Sequence, residues 1–314
     1  MNGLLSELSK SLAGRWIQYL VPAGLLYLAA AAAGALLGHA SWYDLPRLVR
    51  YLDGLALHPG ATSAGVVVLA LVASLLAAMG CGLVVRAAGG AVQRVWGGAW
   101  PLRRVARGLT GWRRERWARA AARCDEAWRK AGRLAAAGDS APGAAGEAVS
   151  ALDVAREEAE RLNAERNRIA LAEPRRPTWM GDRLCAADLR VLSRYGLDLD
   201  SAWPRLWLIM PDTVRAELRT ARDGYDEAAR ITAWALLYLL VGAWWWPAVV
   251  IAAVLAAVGI RRGRAAMDAL CELAESTVDL YGRDLSTALG LDGGPGPIRP
   301  DHGKILREHL RKGA

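Results

Sequence analysis

Three stretches of this sequence carry no charged side chain over lengths that a soluble domain rarely assembles. The first runs from Ile17 to Gly38, the second from Ala61 to Val85 and the third from Ile231 to Ile260. At a rise of about 1.5 Å per residue, each of the first two makes a helix able to cross a hydrocarbon core of about 30 Å. Pro22 sits near the start of the first, where a helix tolerates it. A cleaved signal peptide is the rival there, because the alanine run mimics a cleavage site, but the apolar run is long for one. The third stretch would make a helix of roughly 45 Å, too long for one upright span. Trp244, Trp245, Trp246 and Pro247 stand at its middle. Trp prefers the headgroup level and Pro restricts the residue before it, so this midpoint belongs at an interface. A tight hairpin of two short helices is expected, with one kinked, tilted helix as the alternative.

Charge orients these stretches. Hydrophobic residues make up 54% and charged residues 23% of the chain, an ordinary average that hides strong segregation. Ten arginines lie between Arg86 and Arg123, opposed only by Glu115, and Arg261, Arg262 and Arg264 follow the third stretch. Cytoplasmic flanks collect such charge, so the net charge of +9 reads as topology rather than as a nucleic-acid surface. Lys10 and Arg15 place the N-terminus inside, while the loop after the first stretch balances Arg47 and Arg50 against Asp44 and Asp53. In that loop Trp42, Leu45, Leu48, Val49 and Leu52 suggest a short helix lying on the outer leaflet. The expectation is an all-α, multi-pass protein of the inner (cytoplasmic) membrane, with both termini cytoplasmic and a cytoplasmic helical hairpin or bundle. Residues 1–85 form an N-terminal membrane region, 86–230 a cytoplasmic helical domain, 231–260 a membrane hairpin, and 261–314 a cytoplasmic helix and basic tail.

Within the polar region, Trp117, Ala121, Cys124, Trp128, Ala131 and Ala135 recur at helical spacing, and Gly138 to Gly143 breaks the pattern. A second helix follows, with Val149, Leu152, Ala155, Ala159 and Leu162 on its apolar side. The two predict an antiparallel hairpin over about 111–172 with a thin, alanine-rich seam. Pro174 and Pro177 close it and open a motif segment over 174–210. That segment holds Pro177, Thr178, Gly181, Asp182 and Leu184, then Tyr195 to Asp198, then Trp203 to Trp207. These residues resemble a family of bacterial multi-pass membrane proteins, common in actinobacteria, with Pro-Thr-x-x-Gly-Asn-x-Leu, Tyr-Gly-Leu-Asp and Trp-Pro-Arg-Leu-Trp ahead of an apolar hairpin. Asp182 stands where that family has Asn, which argues against a polar role for the position. The resemblance covers the second half of the chain and implies the same architecture, but no reaction. Thr178, Gly181, Asp182, Tyr195, Asp198, Trp203, Arg205 and Trp207 are the candidate partner or ligand surface.

Pro211 opens a helix running into the third stretch, and Met267 to Leu289 mark another beyond it, so the two leave the hairpin side by side and can zip as a coiled coil. Lys304, Arg307, Arg311 and Lys312 form a basic tail suited to anionic lipid. No metalloprotease, phosphate-loop or serine-hydrolase motif is present. Cys81, Cys124, Cys185 and Cys271 have no metal-ligand spacing, and neither do His39, His58, His302 and His309. No catalytic residue, cofactor or metal is therefore expected, nor an enzyme. No ionisable group interrupts the apolar stretches, which argues against ion-coupled transport. Small residues at four-residue spacing, Ala30, Gly34 and Gly38, then Ser74, Ala78 and Gly82, allow close helix packing within or between chains. The leading functional expectation is a membrane-anchored scaffold or signal-coupling protein, binding the bilayer and either a protein partner or itself. An oligomeric channel or membrane-perturbing pore is the alternative.

Overall fold

A computed structural model describes residues 22–57, 63–140, 145–291 and 298–311. Every regular element among them is a helix: α1 (Pro22–Leu37), α2 (Leu45–Ala56), α3 (Ala64–Trp96), α4 (Arg103–Ser140), α5 (Ala145–Ile169), α6 (Trp179–Tyr195), α7 (Leu199–Ile209), α8 (Asp212–Val241), α9 (Pro247–Ala288) and α10 (Pro300–Arg311). Lys10, Arg15, His58, Lys312 and the last three residues of the expected Gly138–Gly143 break lie outside the described residues, and α4 continues through Gly138 to Ser140. The chain divides into two compact units. One joins the residues up to Gln93 with Tyr225–Gly263; the other joins Arg94–Gly224 with Arg264 onward.

In the first unit, α3 buries a single seam. Ala78, Gly82, Val85, Gly89 and Val92 are buried at alternating spacings of four and three, while Val66, Leu69, Leu76 and Leu83 around the same helix are exposed. The seam is made of small residues because backbones meet there: a Cβ added at Gly24 of α1 would strike the Ala78 backbone. Tyr27 packs edge-on against Tyr238 of α8, with ring centroids 5.4 Å apart. Between α8 and α9 the chain reverses over 242–246. Gly242 faces Val249, and further back Gly259 faces Thr232 and the Ala228 carbonyl, so the flanking helix segments run antiparallel in close contact. Gly34 lies under Trp245, the His39 ring nitrogen is 3.0 Å from the Ala243 carbonyl oxygen, and Trp42 meets Trp246 at 4.9 Å. His39, Trp42, Trp245 and Trp246 thereby gather around the turn and the loop after α1.

Helix length supports less than the multi-pass arrangement expected from the sequence. Among the described residues only α3, with 33 residues, is long and apolar enough to cross a membrane; α1 is apolar but shorter. The uncharged arms of the 231–260 segment, Ile231–Val241 and Pro247–Ile260, rise only about 16 and 20 Å against a core of about 30 Å. The hairpin divides into two a length that suits one tilted span.

In the second unit, α4 and α5 pair as a helical hairpin. The buried seam of α4 is Ala120, Cys124, Ala127 and Ala131, facing Ala155 and Ala159 of α5. Trp128 and Val149, expected on the seam, are exposed; on α4 the seam advances by three from Cys124 to Ala127 rather than by four to Trp128. The remaining helices enclose a core of Val191, Leu197, Leu206, Met210, Leu285 and Leu306. The last of these comes from α10, which corrects the reading of the tail as a free basic segment. Gly303, Leu306 and Leu310 are buried, leaving the charged face outward. Gly196, at φ 70°, ends α6 and donates its N–H to Leu192 O at 2.9 Å. A Cβ at Gly196 would strike the Pro300 carbonyl, and one at Gly303 would strike the Tyr195 carbonyl. Two glycines let the α6 terminus and α10 touch backbone to backbone.

Candidate functional site

The residues of the motif segment are divided among three places. Thr178, Gly181 and Asp182 form a knot at the start of α6. Thr178 caps the helix, its hydroxyl oxygen accepting from Gly181 N at 3.1 Å and donating to the Trp96 carbonyl. Gly181 leaves room for the Gly97 carbonyl and the Arg176 side chain. Asp182 is buried and accepts three hydrogen bonds: from the backbone N–H groups of Arg175 and Arg176, each at 2.7 Å, and from Arg113 Nη2 at 2.6 Å. Arg113 also donates to Ile169 O at 2.9 Å, and Trp117 Nε1 donates to Ala170 O at 2.9 Å. The knot therefore ties α4, the end of α5 and α6 together. Asp182 thus fills a polar role that the sequence argued against, its carboxylate accepting these bonds with charge.

Tyr195 and Asp198 lie on the α10 side. Tyr195 donates to Asp279 Oδ1 at 2.7 Å, and its phenol is pushed up by burial and by that hydrogen bond. Asp198 precedes α7 without capping it and accepts from Arg311 of α10 at 3.2 Å. Arg205 turns back to Ser201 O on its own helix at 2.8 Å. These three are structural contacts in the geometry observed.

Trp203 and Trp207 alone line a concavity. They project from α7 one turn apart, with ring centroids separated by 6.3 Å. The concavity holds about 560 Å³ and is completed by Leu184 of α6, Leu218 and Arg219 of α8, and Leu270 and Cys271 of α9. That is within the usual size of a ligand or peptide site. Arg219 lies over the Trp207 ring at 5.5 Å, which fixes a cation at the rim. Asp200, Arg222 and Asp223 add polar groups around it. Pro204 inside α7 has no N–H, so the Asp200 carbonyl one turn back lacks its helical donor. On the floor, burial pushes the Cys271 thiol up to about 11, and Met267 Sδ lies 3.8 Å from its sulfur. A thiol held protonated there is a packing group rather than a nucleophile.

Sequence reasoning missed two charged contributors. Arg183 is 5% exposed and bonds Asp268 at 2.5 Å and Glu275 at 2.8 Å, joining α6 to α9. Burial opposes its charge, but the two carboxylates outweigh that and hold the guanidinium above its ordinary value. Arg264 stacks over Trp179 at 5.4 Å; burial, and then Arg113, lower its pKa. In the sequence both are arginines among many, and no spacing distinguishes them. Among the described residues no group of three His, Cys, Asp or Glu side chains is placed to hold a metal ion. The chain has no match among protein-family models, curated proteins or solved structures.

Proposed function

We propose that this protein is a multi-pass, membrane-anchored adaptor of the inner membrane that holds a helix of a protein partner in the Trp203–Trp207 groove. The groove carries the proposal. It is apolar on its floor, aromatic on one wall and rimmed by Arg219 and Arg222 beside Asp200 and Asp223, a combination that accepts aliphatic side chains of an amphipathic helix and pairs its flanking charges. Membrane anchorage draws support from α3, whose Ala64–Val85 portion has no charged residue and exposes valine and leucine around most of its circumference. The short hairpin arms reach further if Trp244 and Trp246 anchor one end while Arg230, Arg261 and Arg262 snorkel at the other. A pore has less support, because Gly34 and Ala78, two of the small residues that motivated it, are packed within one chain against Trp245 and Gly24.

The test is affinity capture with the full-length protein in a neutral detergent. The expected result is a partner retained by the native protein and lost about tenfold or more with Leu184→Asp or Arg219→Glu, both exposed positions, without a change in melting temperature. Retention unaffected by either change would overturn the groove reading, and capture of a second copy alone would replace the foreign partner with self-association.

A further inference from the structure

A second concavity, remote in its lining from the groove, is lined by three arginines and no acid. Its walls are Gly98, Ala99 and Trp100, Arg103 and Arg107 of the first turns of α4, and Arg176 from the loop ahead of α6, enclosing about 630 Å³. The positive-inside rule explains why arginines follow α3, but not why two separate segments bring three of them to one hollow. Ordinary surface arginines here find partners: Arg114 pairs with Glu173, Arg190 with Glu275 and Arg230 with Glu227. The Arg103 and Arg107 side chains have no hydrogen bond or ion pair among the described residues.

Arg176 is held in place. Its backbone N–H is bonded to Asp182 at 2.7 Å, and its Nε is 3.5 Å from Cys185 Sγ. Gly98, at φ 90°, lies against its side chain, where a Cβ would come within 3.0 Å of Arg176 Cδ. The loop is thus shaped around this arginine. The α4 N-terminus adds to the same field. Leu102 precedes the helix and has no side chain able to cap it, so the N–H groups of Arg103, Arg104 and Val105 keep no acceptor among the described residues. Like charges gathered at one hollow without a counter-charge repel one another, and a bound anion relieves that repulsion.

We infer that this hollow is an anion site for a phosphate group, held by forked hydrogen bonds from Arg103, Arg107 and Arg176 beside the α4 N-terminus. Arginine's planar fork matches phosphate oxygens in pairs, and three forks suit a group with two charges better than a carboxylate with one. The phosphate belongs either to an anionic lipid headgroup or to a soluble phosphorylated molecule.

Full-length protein in neutral detergent is titrated with inorganic phosphate against chloride at equal ionic strength, with melting temperature and heat of binding as readouts. The same protein is placed in nanodiscs of phosphatidylcholine alone or with phosphatidylglycerol. Arg103→Gln/Arg107→Gln removes two forks. Arg116→Gln/Arg119→Gln removes equal charge from the same helix, outside the hollow. The expected result is stabilisation by phosphate, or by phosphatidylglycerol, that the first variant loses about tenfold or more and the second retains. Response to free phosphate assigns a soluble ligand, and response to phosphatidylglycerol alone assigns a headgroup. No response to either, or an equal loss in both variants, overturns the site.

Discussion

Asp188 is the residue at which this fold works against itself. One carboxyl oxygen is buried without a partner, while the carboxyl receives the Leu199 N–H. Burial raises its pKa first, Asp198 and Asp200 raise it further, and the Leu199 bond only partly offsets them. An acid whose pKa is higher folded than unfolded destabilises the native state at pH values above the folded pKa, where it must be charged. That penalty fades as pH falls toward the ordinary carboxylate value. Asp188→Asn should therefore stabilise the protein at pH 7 by about 0.5–1 kcal/mol, discounted for partial solvent access. In urea unfolding followed by circular dichroism the advantage should shrink as pH approaches 4, and an unchanged advantage there would assign the effect to packing instead. Asp182 is the opposite case, a buried carboxylate with every oxygen engaged. Both are single aspartates in charged surroundings, and the sequence does not tell them apart. What separates them is whether donors reach both oxygens. The 174–177 turn and Arg113 of α4 supply three to Asp182, whereas Asp188 receives the Leu199 N–H and keeps one oxygen unpaired.

At the scale of elements, periodicity revealed most helices and turn residues revealed their ends. The break at Trp244–Pro247 was legible because two independent preferences coincide there, and α8 and α9 stop and start on either side of it. The α4–α5 pairing was legible from a short connection, and Cys124, Ala131, Ala155 and Ala159 lie on its seam as expected. Ala120 and Ala127, however, take the places expected for Ala121 and Trp128. An alanine seam gives little contrast with the alanines beside it, and Trp128 drew the reading toward itself. The docking of α10 was not legible. Its lysine and arginines look like a lipid-seeking tail, and the decisive residues are two glycines, Gly196 and Gly303, that matter only when brought together. Gly303→Ala puts a methyl group on the Tyr195 carbonyl and should undock α10 at a cost of about 2 kcal/mol. Hydrogen exchange should then rise across 298–311 and at Asp198, which loses Arg311, while α4 and α5 keep their protection. Equal acceleration across α4 would mean that α10 is part of one cooperative core rather than a separable element.

At the scale of the molecule, the distribution of charge makes a topological prediction that helix lengths alone do not. If the polar helices all face the cytosol, the turn at 242–246 and the loop carrying Trp42 share the other side. Their contacts, His39 with Ala243 and Trp42 with Trp246, require a common side in any case. The turn need not be at the far surface, because arms of about 16 and 20 Å fall short of a full crossing unless the bilayer thins around them. Two labelling positions separate these possibilities. Trp244→Cys is in the turn and Tyr43→Cys in the loop, and both native side chains are exposed. Cys81 and Cys185 would first be replaced by serine, while Cys124 and Cys271 are buried and left in place. In intact cells or right-side-out vesicles, a membrane-impermeant maleimide should label Tyr43→Cys within minutes. Labelling of Trp244→Cys at a similar rate means a crossing hairpin in a thinned bilayer. Protection of Trp244→Cys on both sides, with Tyr43→Cys still labelled, means a hairpin that stops within the membrane. Labelling of Trp244→Cys only after the cytoplasmic face is opened would reverse the orientation assigned by the arginines and overturn the positive-inside argument for this chain.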